Sequence, residues 1–318
     1  MAMEGSNGRA RTHGQSAETM IPGGVLAPVA TTFGTDGEFD VAAFRANLDW
    51  YSRSRLDGIV LLGSNGEFAL LDTSEKEAVI EAGIEAVGGR KTVMVGTGAE
   101  STRATIALTR RAAAAGADFA LVVTPHYYSP RYDHAAYLAH YQAVAEASPI
   151  PVIIYVMAAY TGVDLAPALV ADIARHPNVV GIKDSGGNAP RVAEVIERCG
   201  PEFGVLAGSA SFLYPALCLG ATGGIVALGN LTPDLCADLR DLTLAGDHAA
   251  ARALQLRLIA PNAAVTSRFG VPGLKVAMDA VGLRGGPPRL PHLPLGENDA
   301  EEVRRTLREA EIGAVAVG

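Results

Sequence analysis

From Gly24 onward, short apolar runs rich in β-branched residues alternate with longer stretches in which Ala, Leu, Arg and Glu recur at helical spacing. The runs are continuous rather than polar-alternating, which suits strands buried on both faces of a parallel sheet. They predict strands at 25–30, 58–62, 92–96, 119–123, 152–156, 179–183, 204–207 and 224–228. The stretches between and after them predict helices at 41–54, 74–87, 102–115, 135–147, 167–175, 190–199, 212–219 and 233–244. Asp72-Thr73-Ser74, with Glu75 and Glu77 in the next turn, is the clearest helix-entry signal.

Eight strand–helix units in strict order predict an α/β fold, the (β/α)8 or TIM barrel, with additional C-terminal helices. A doubly wound open sheet uses the same unit. The turn after the first run, Thr31-Thr32-Phe33-Gly34-Thr35, lacks the glycine spacing of a dinucleotide loop, so the barrel is preferred. Residues 248–260, 274–281 and 297–311 are predicted as further helices, interrupted at Gly270-Pro272-Gly273 and at Gly285-Gly286-Pro287-Pro288. The expected organisation is a disordered tail at 1–20, a barrel at 21–245 and a helical extension at 246–318. The tail is polar and rich in Gly, Ser and Arg, with no apolar run of the kind a secretory signal needs.

Composition narrows the partners. With 49% apolar and 19% charged residues, the 318-residue chain can bury a sizeable core. Its formal charge of −8, with no cluster of Lys and Arg, argues against a nucleic-acid partner. No stretch approaches a membrane span, so no membrane partner is expected. Cys199, Cys218 and Cys236 lie far apart and read as reduced thiols, which points to the cytoplasm. The scattered histidines offer no ligand spacing, so no metal is expected. Gly186-Gly187 and Gly223-Gly224 hint only weakly at a phosphate site.

In such a barrel the chemistry lies at the C-terminal ends of the strands. Those ends carry Gly63-Ser64-Asn65-Gly66-Glu67, Gly96-Thr97-Gly98, Thr124-Pro125-His126-Tyr127-Tyr128, Tyr155, Lys183-Asp184-Ser185, Ala207-Gly208-Ser209 and Leu228-Gly229-Asn230. The chain has four lysines, Lys76, Lys91, Lys183 and Lys275, and only Lys183 caps an apolar strand. A lysine buried without a partner tends to lose its proton and become a nucleophile toward carbonyl carbon. The competing reading is a lysine neutralised by Asp184 or Glu67. Tyr155 ends the neighbouring strand, where a phenol could carry protons or simply pack. Ser64 and Asn65 offer donors for a carboxylate on a tight turn, although a plain glycine-rich turn reads the same way. Glu67 is expected to buttress that turn.

Taken in order, Gly63-Ser64-Asn65-Gly66-Glu67, Val123-Thr124-Pro125-His126-Tyr127-Tyr128, Tyr155 and Gly181-Ile182-Lys183-Asp184-Ser185-Gly186-Gly187 resemble the dihydrodipicolinate synthase / N-acetylneuraminate lyase superfamily of class I pyruvate aldolases. The likeness runs from about residue 22 to about residue 294. Within it the motifs are most similar to those of the 4-hydroxy-2-oxoglutarate aldolases, which share segments like Leu206-Ala207-Gly208-Ser209-Ala210 and Pro261-Asn262-Ala263-Ala264-Val265-Thr266.

The resemblance implies that Lys183 forms an imine with pyruvate, that Tyr155 shuttles protons and that Tyr127 joins the relay by reaching a neighbouring subunit's site. It implies that Ser64 and Asn65 hold the pyruvate carboxylate and that Ser185 helps place the second substrate. Gly208, Ile225 and Tyr160 complete the candidate substrate-binding set. No cofactor is implied, and a homotetramer built as a dimer of dimers is. One stretch departs from the family pattern Tyr-x-Val-Pro-x-x-Thr-Gly. Here it reads Tyr155-Val156-Met157-Ala158-Ala159-Tyr160-Thr161-Gly162, without the proline. Tyr160 stands where dihydrodipicolinate synthases place an arginine for the aldehyde's carboxylate.

The expected activity is therefore reversible cleavage of 4-hydroxy-2-oxoglutarate, or a close relative, to pyruvate and an aldehyde such as glyoxylate. The alternatives are a sister pyruvate-dependent aldolase or synthase acting on another aldehyde, including a 2-keto-3-deoxy sugar acid, and a barrel that only binds 2-oxo acids.

Overall fold

The computed structural model describes residues 21–313; the expected tail at 1–20 lies outside them. Strands β1 (Gly24–Pro28), β2 (Gly58–Leu61), β3 (Thr92–Gly96), β4 (Phe119–Val123), β5 (Val152–Val156), β6 (Val179–Asp184), β7 (Gly204–Ala207) and β8 (Gly223–Ile225) run parallel. They pair in sequence order, and β8 closes on β1 to complete the barrel. Outside it lie α1 (Val41–Arg53), α2 (Thr73–Val87), α3 (Thr102–Ala115), α4 (His134–Ala147), the single turn α5 (Ala158–Thr161), α6 (Pro167–Ala174), α7 (Ala189–Cys199), α8 (Leu213–Cys218) and α9 (Pro233–Leu244). Helices α10 (His248–Ala263), α11 (Gly270–Ala280) and α12 (Glu297–Glu309) follow. None of the described helices is long and apolar enough to cross a membrane.

Local chemistry explains the helix starts. At α2 the Asp72 carboxylate accepts from the Glu75 N–H at 2.8 Å while the Glu75 carboxylate accepts from the Asp72 N–H at 2.9 Å, so the expected entry signal is a reciprocal cap. Asp40, Ser101, Asp133, Asn188 and Asp247 cap α1, α3, α4, α7 and α10 in the same sense.

Among the boundaries that differ from expectation, three have a clear physical reason. The eighth strand stops at Ile225, and Ala227–Asn230 form a 3₁₀ turn. The apolar run continues there because Val226 and Leu228 are buried, not because they are extended. Helix α10 passes through Pro261 and widens into a π-helical turn at Ala264–Arg268. There the Thr266 hydroxyl takes up the Asn262 carbonyl at 2.6 Å. The Gly270-Pro272-Gly273 sequence begins α11 rather than breaking a helix, since proline in a first turn forfeits only an N–H that has no partner anyway.

Side chains alternate across the strands, and one set fills the barrel: Leu26, Val60, Met94, Leu121, Ile153, Tyr155, Leu206 and Ile225 belong to a single buried cluster. Strand β6 breaks the alternation. Val180 points into this cluster, yet Ile182, two residues on, belongs to the outer core between strands and helices. The pairing with β5 slips at that point, Val152 opposing Val179 and Ile153 opposing Gly181. The bulge shifts the phase by one residue and turns Lys183 inward beside Tyr155 and Leu206. Gly181 fits there because a Cβ would lie 2.6 Å from the Gly204 carbonyl and 2.8 Å from Pro22, which plugs the N-terminal end.

Candidate active site

At the C-terminal ends of β5 and β6, Tyr155 and Lys183 are paired neighbours, only 5% and 4% exposed. The Lys183 Nζ lies 4.2 Å from the centroid of the Tyr155 ring, close enough for the ring face to attract a cation. The Tyr155 hydroxyl lies 3.1 Å from the Ser64 Oγ, and either oxygen can be the donor. These contacts join strand ends 2, 5 and 6 in one group.

The competing reading of Lys183 fails on geometry. Asp184 follows it in sequence but turns away: its carboxylate accepts from the Arg191 guanidinium at 2.6 Å and the Gly186 N–H at 2.8 Å. Glu67 is held by the Lys275 ammonium at 2.7 Å and the Arg289 N–H at 2.8 Å. Among the described residues Lys183 has no ion pair and no hydrogen bond. Lys91 donates to the Ser54 and Leu56 carbonyls, and Lys76 lies over Phe68 in the first turns of α2. Lys275, which follows Gly270-Pro272-Gly273 in sequence, lies on α11. It is the most buried lysine described, 1% exposed. Burial pulls its pKa down, and Glu67 opposes that pull.

Ser64 and Asn65 lie in a 3₁₀ turn, Ser64–Gly66, between two left-handed residues that are not glycine: Leu62 at φ 55° and Glu67 at φ 56°. Each such residue costs roughly 1–2 kcal/mol, so the turn is held rather than relaxed. Thr31 donates to the Gly66 carbonyl at 2.7 Å, and the Glu67 carboxylate anchors the far end. The Asn65 amide nitrogen is buried with no partner, and so is the Thr124 hydroxyl at the end of β4. Unpaired buried donors are rare in folded proteins, and these two are candidates for contacts to a polar group of a substrate.

The remaining candidates are placed as follows. Ile225 is fully buried in the barrel, in the same cluster as Tyr155. The Ser185 N–H donates to the Val156 carbonyl at 3.1 Å. Gly208 packs against Ser185 so tightly that a Cβ would sit 2.0 Å from the Ser185 Oγ. Tyr160, on α5, is 60% exposed. Partial desolvation, and then nearby Tyr155, raise its pKa, so it is a neutral phenol at ordinary pH. Its hydroxyl faces Gly270 at the start of α11, 4.0 Å from where a Cβ would stand.

Tyr127 is not brought to Lys183 within this chain. It is 74% exposed, stacked edge-to-face on Tyr128 at 4.9 Å, with its N–H donated to Glu100 at 2.8 Å. Among the described residues no group of His, Cys, Asp and Glu side chains is arranged to hold a metal ion.

Sequence reasoning missed the Ser64–Tyr155 contact, because residues 91 apart meet only once the barrel closes. It also missed the Lys275–Glu67 pair, which had no local signal. The buried Thr124 had one, its place at a strand end, but no chemistry was assigned to it.

Comparison with known proteins places this geometry in context. The model of the dihydrodipicolinate synthetase family matches residues 21–310. A 4-hydroxy-tetrahydrodipicolinate synthase of Xanthomonas campestris pv. campestris is 38% identical over 272 residues, 86% of this chain and 89% of that one. Among solved structures, a chloride-inhibited dihydrodipicolinate synthase from Acinetobacter baumannii, complexed with pyruvate, aligns with a TM-score of 0.87 at 32% identity, covering 92% of this chain and 100% of the other. A prophage protein of the dihydrodipicolinic acid synthase family from E. coli K12, also in complex with pyruvate, aligns with a TM-score of 0.86 at 31% identity, covering 91% and 99%.

Proposed function

This chain belongs to the dihydrodipicolinate synthetase family of class I, Schiff-base-forming lyases and synthases that act with pyruvate, and from that premise we propose that it cleaves 4-hydroxy-2-oxoglutarate, or a close 4-hydroxy-2-oxo acid, reversibly to pyruvate and glyoxylate or a related aldehyde. The observation that carries the proposal is an inward-facing Lys183 whose nearby carboxylates are both committed elsewhere.

In this reading the Lys183 amine attacks the C2 carbonyl, and loss of water gives a protonated imine. The Tyr155 hydroxyl supplies and removes protons at the departing oxygen, with Ser64 as the next member of the path. Removal of the C4 hydroxyl proton then breaks the C3–C4 bond, and the bonding pair passes into the imine as an enamine. Protonation at C3 and hydrolysis release pyruvate and return the amine. The unpaired Asn65 amide, with Ser64, suits the C1 carboxylate. Ser185, held against Gly208, lies at the strand end next to Lys183, where it suits the distal carboxylate. The reading includes a dimer-of-dimers tetramer in which the exposed Tyr127 completes a neighbouring copy's site.

The names of the curated relatives favour a second reading, synthesis of 4-hydroxy-tetrahydrodipicolinate. Tyr160 separates the two. An arginine would grip an aldehyde's carboxylate through a charge-assisted, often bidentate contact; a neutral phenol offers one ordinary hydrogen bond and more bulk. A pyruvate-release assay over a panel of 4-hydroxy-2-oxo acids should show turnover of 4-hydroxy-2-oxoglutarate, and condensation of pyruvate with aspartate semialdehyde should be negligible. Tyr160→Arg should raise that condensation. Efficient condensation by the natural chain would replace this reading with the second one. Turnover confined to larger or less charged 4-hydroxy acids would assign the chain to a sister aldolase.

A further inference from the structure

Two of the described lysines are more than nine-tenths buried, and only Lys183 belongs to the reaction proposed above. Lys275 lies on α11, outside the barrel. Its ammonium meets the Glu67 carboxylate at 2.7 Å and the Pro287 carbonyl at 2.8 Å, and sits 4.4 Å over the Phe33 ring. Arg289, in the same C-terminal segment, donates its N–H to Glu67 at 2.8 Å, covers Phe33 at 4.2 Å and pairs with Glu75 at 2.6 Å. The segment is fitted closely: a Cβ on Gly285 would lie 2.1 Å from the Lys275 carbonyl.

Glu67 is the residue that ends the Ser64–Gly66 turn, in a left-handed conformation. Glutamate has no intrinsic preference for that conformation; its N–H donates to the Ser64 carbonyl at 3.1 Å and its carbonyl accepts from the Leu70 N–H at 2.8 Å, and the carboxylate contacts anchor it from outside the turn. Those contacts come from α11 and the segment after it, more than 200 residues away in sequence. A buried ion pair adds little net stability over an apolar pair of the same shape, but it fixes geometry, and losing one partner strands a charge. Helix α11 packs directly against the turn, so a stranded Glu67 would be felt at Ser64 and Asn65.

We propose that the Lys275–Glu67 pair, with the Arg289 N–H, positions the Ser64–Asn65 turn for 2-oxo acid binding, and that Lys275 is a positioning residue rather than a second imine-forming lysine. The inference rests on the reading of Ser64 and Asn65 as the carboxylate cradle.

The test is borohydride trapping across a range of pyruvate concentrations, with thermal unfolding of each variant measured alongside. Lys275→Met should raise the pyruvate concentration for half-maximal labelling about tenfold or more, a coupling usual for groups in contact. The plateau should stay at one label per chain, on the Lys183 peptide. Removing both charges, Glu67→Gln with Lys275→Met, should recover part of the loss. Should Lys275→Met fail to fold, Glu67→Gln, neutral and nearly the same shape, carries the test and should shift half-saturation the same way.

An unchanged half-saturation beside a lowered melting temperature would make the pair purely structural and overturn the inference. Label on the Lys275 peptide of the natural chain would overturn it too. Ser64→Ala and Asn65→Ala separate the two readings. If they leave half-saturation unchanged, the cradle reading fails and takes this inference with it. If they raise it while the Lys275 and Glu67 variants do not, this inference alone fails.

Discussion

Pyruvate and borohydride together should add one reduced pyruvate per chain, on the peptide that contains Lys183, and Lys183→Ala should abolish both the label and turnover. Loss of a covalent nucleophile costs activity on the order of 10⁶-fold where it has been measured, and nothing in this barrel replaces the amine. Lys91 is bonded to two carbonyls, Lys275 is locked to Glu67, and Lys76 starts a helix on the outside. The variant should fold, since Lys183 makes no ion pair whose loss would strand a buried carboxylate: Asp184 keeps Arg191 and Glu67 keeps Lys275. Mass spectrometry of the digested, reduced protein reads the label, and melting temperature checks the fold. Label on any other lysine, or none at all, would remove Lys183 from the mechanism.

Most of the barrel was legible because a parallel strand buried on both faces declares itself as an unbroken apolar run, and the runs at β3, β4, β5 and β7 match the observed strands residue for residue. The eighth run misled for the same reason: Val226 and Leu228 are apolar because they are buried, whatever the backbone does. Lys183 and Tyr155 were legible as polar residues at the ends of such runs. Why Lys183 faces inward was not legible. Counting alternately from Val180 would turn it outward, and only the bulge beside Gly181 corrects the phase.

Contacts made by chain closure were invisible for a plainer reason. Ser64 meets Tyr155, and Glu67 meets Lys275 and Arg289, across separations that carry no local pattern. The buttressing role expected of Glu67 agrees with its contacts, but its partners could not have been named in advance. Tyr160 shows the opposite limit. Its position in the motif was clear from sequence, whereas its hydroxyl facing Gly270 needed the fold.

Removing one oxygen at Tyr155 should separate its two roles. Tyr155→Phe keeps the ring that fills the barrel and lies 4.2 Å from the Lys183 amine, so packing and the cation–ring contact survive. What disappears is the hydroxyl that meets Ser64 at 3.1 Å, and with it the path by which, in the proposed reaction, protons reach the departing oxygens. Turnover should therefore fall by roughly 10²–10⁴-fold, the range for loss of a positioned general acid–base group. Pyruvate should still saturate the site through Ser64 and Asn65, and the Lys183 label should still reach one per chain, only more slowly. Ser64→Ala should slow turnover less, because it removes the second member of the path and leaves the first. Rapid-quench trapping would follow imine formation directly, and steady-state pyruvate release would follow the whole cycle. A rate in Tyr155→Phe equal to that of the natural chain would reduce Tyr155 to a packed ring. The proton would then have to move through another group at the barrel mouth, and the buried, unpartnered Thr124 hydroxyl is the first to examine.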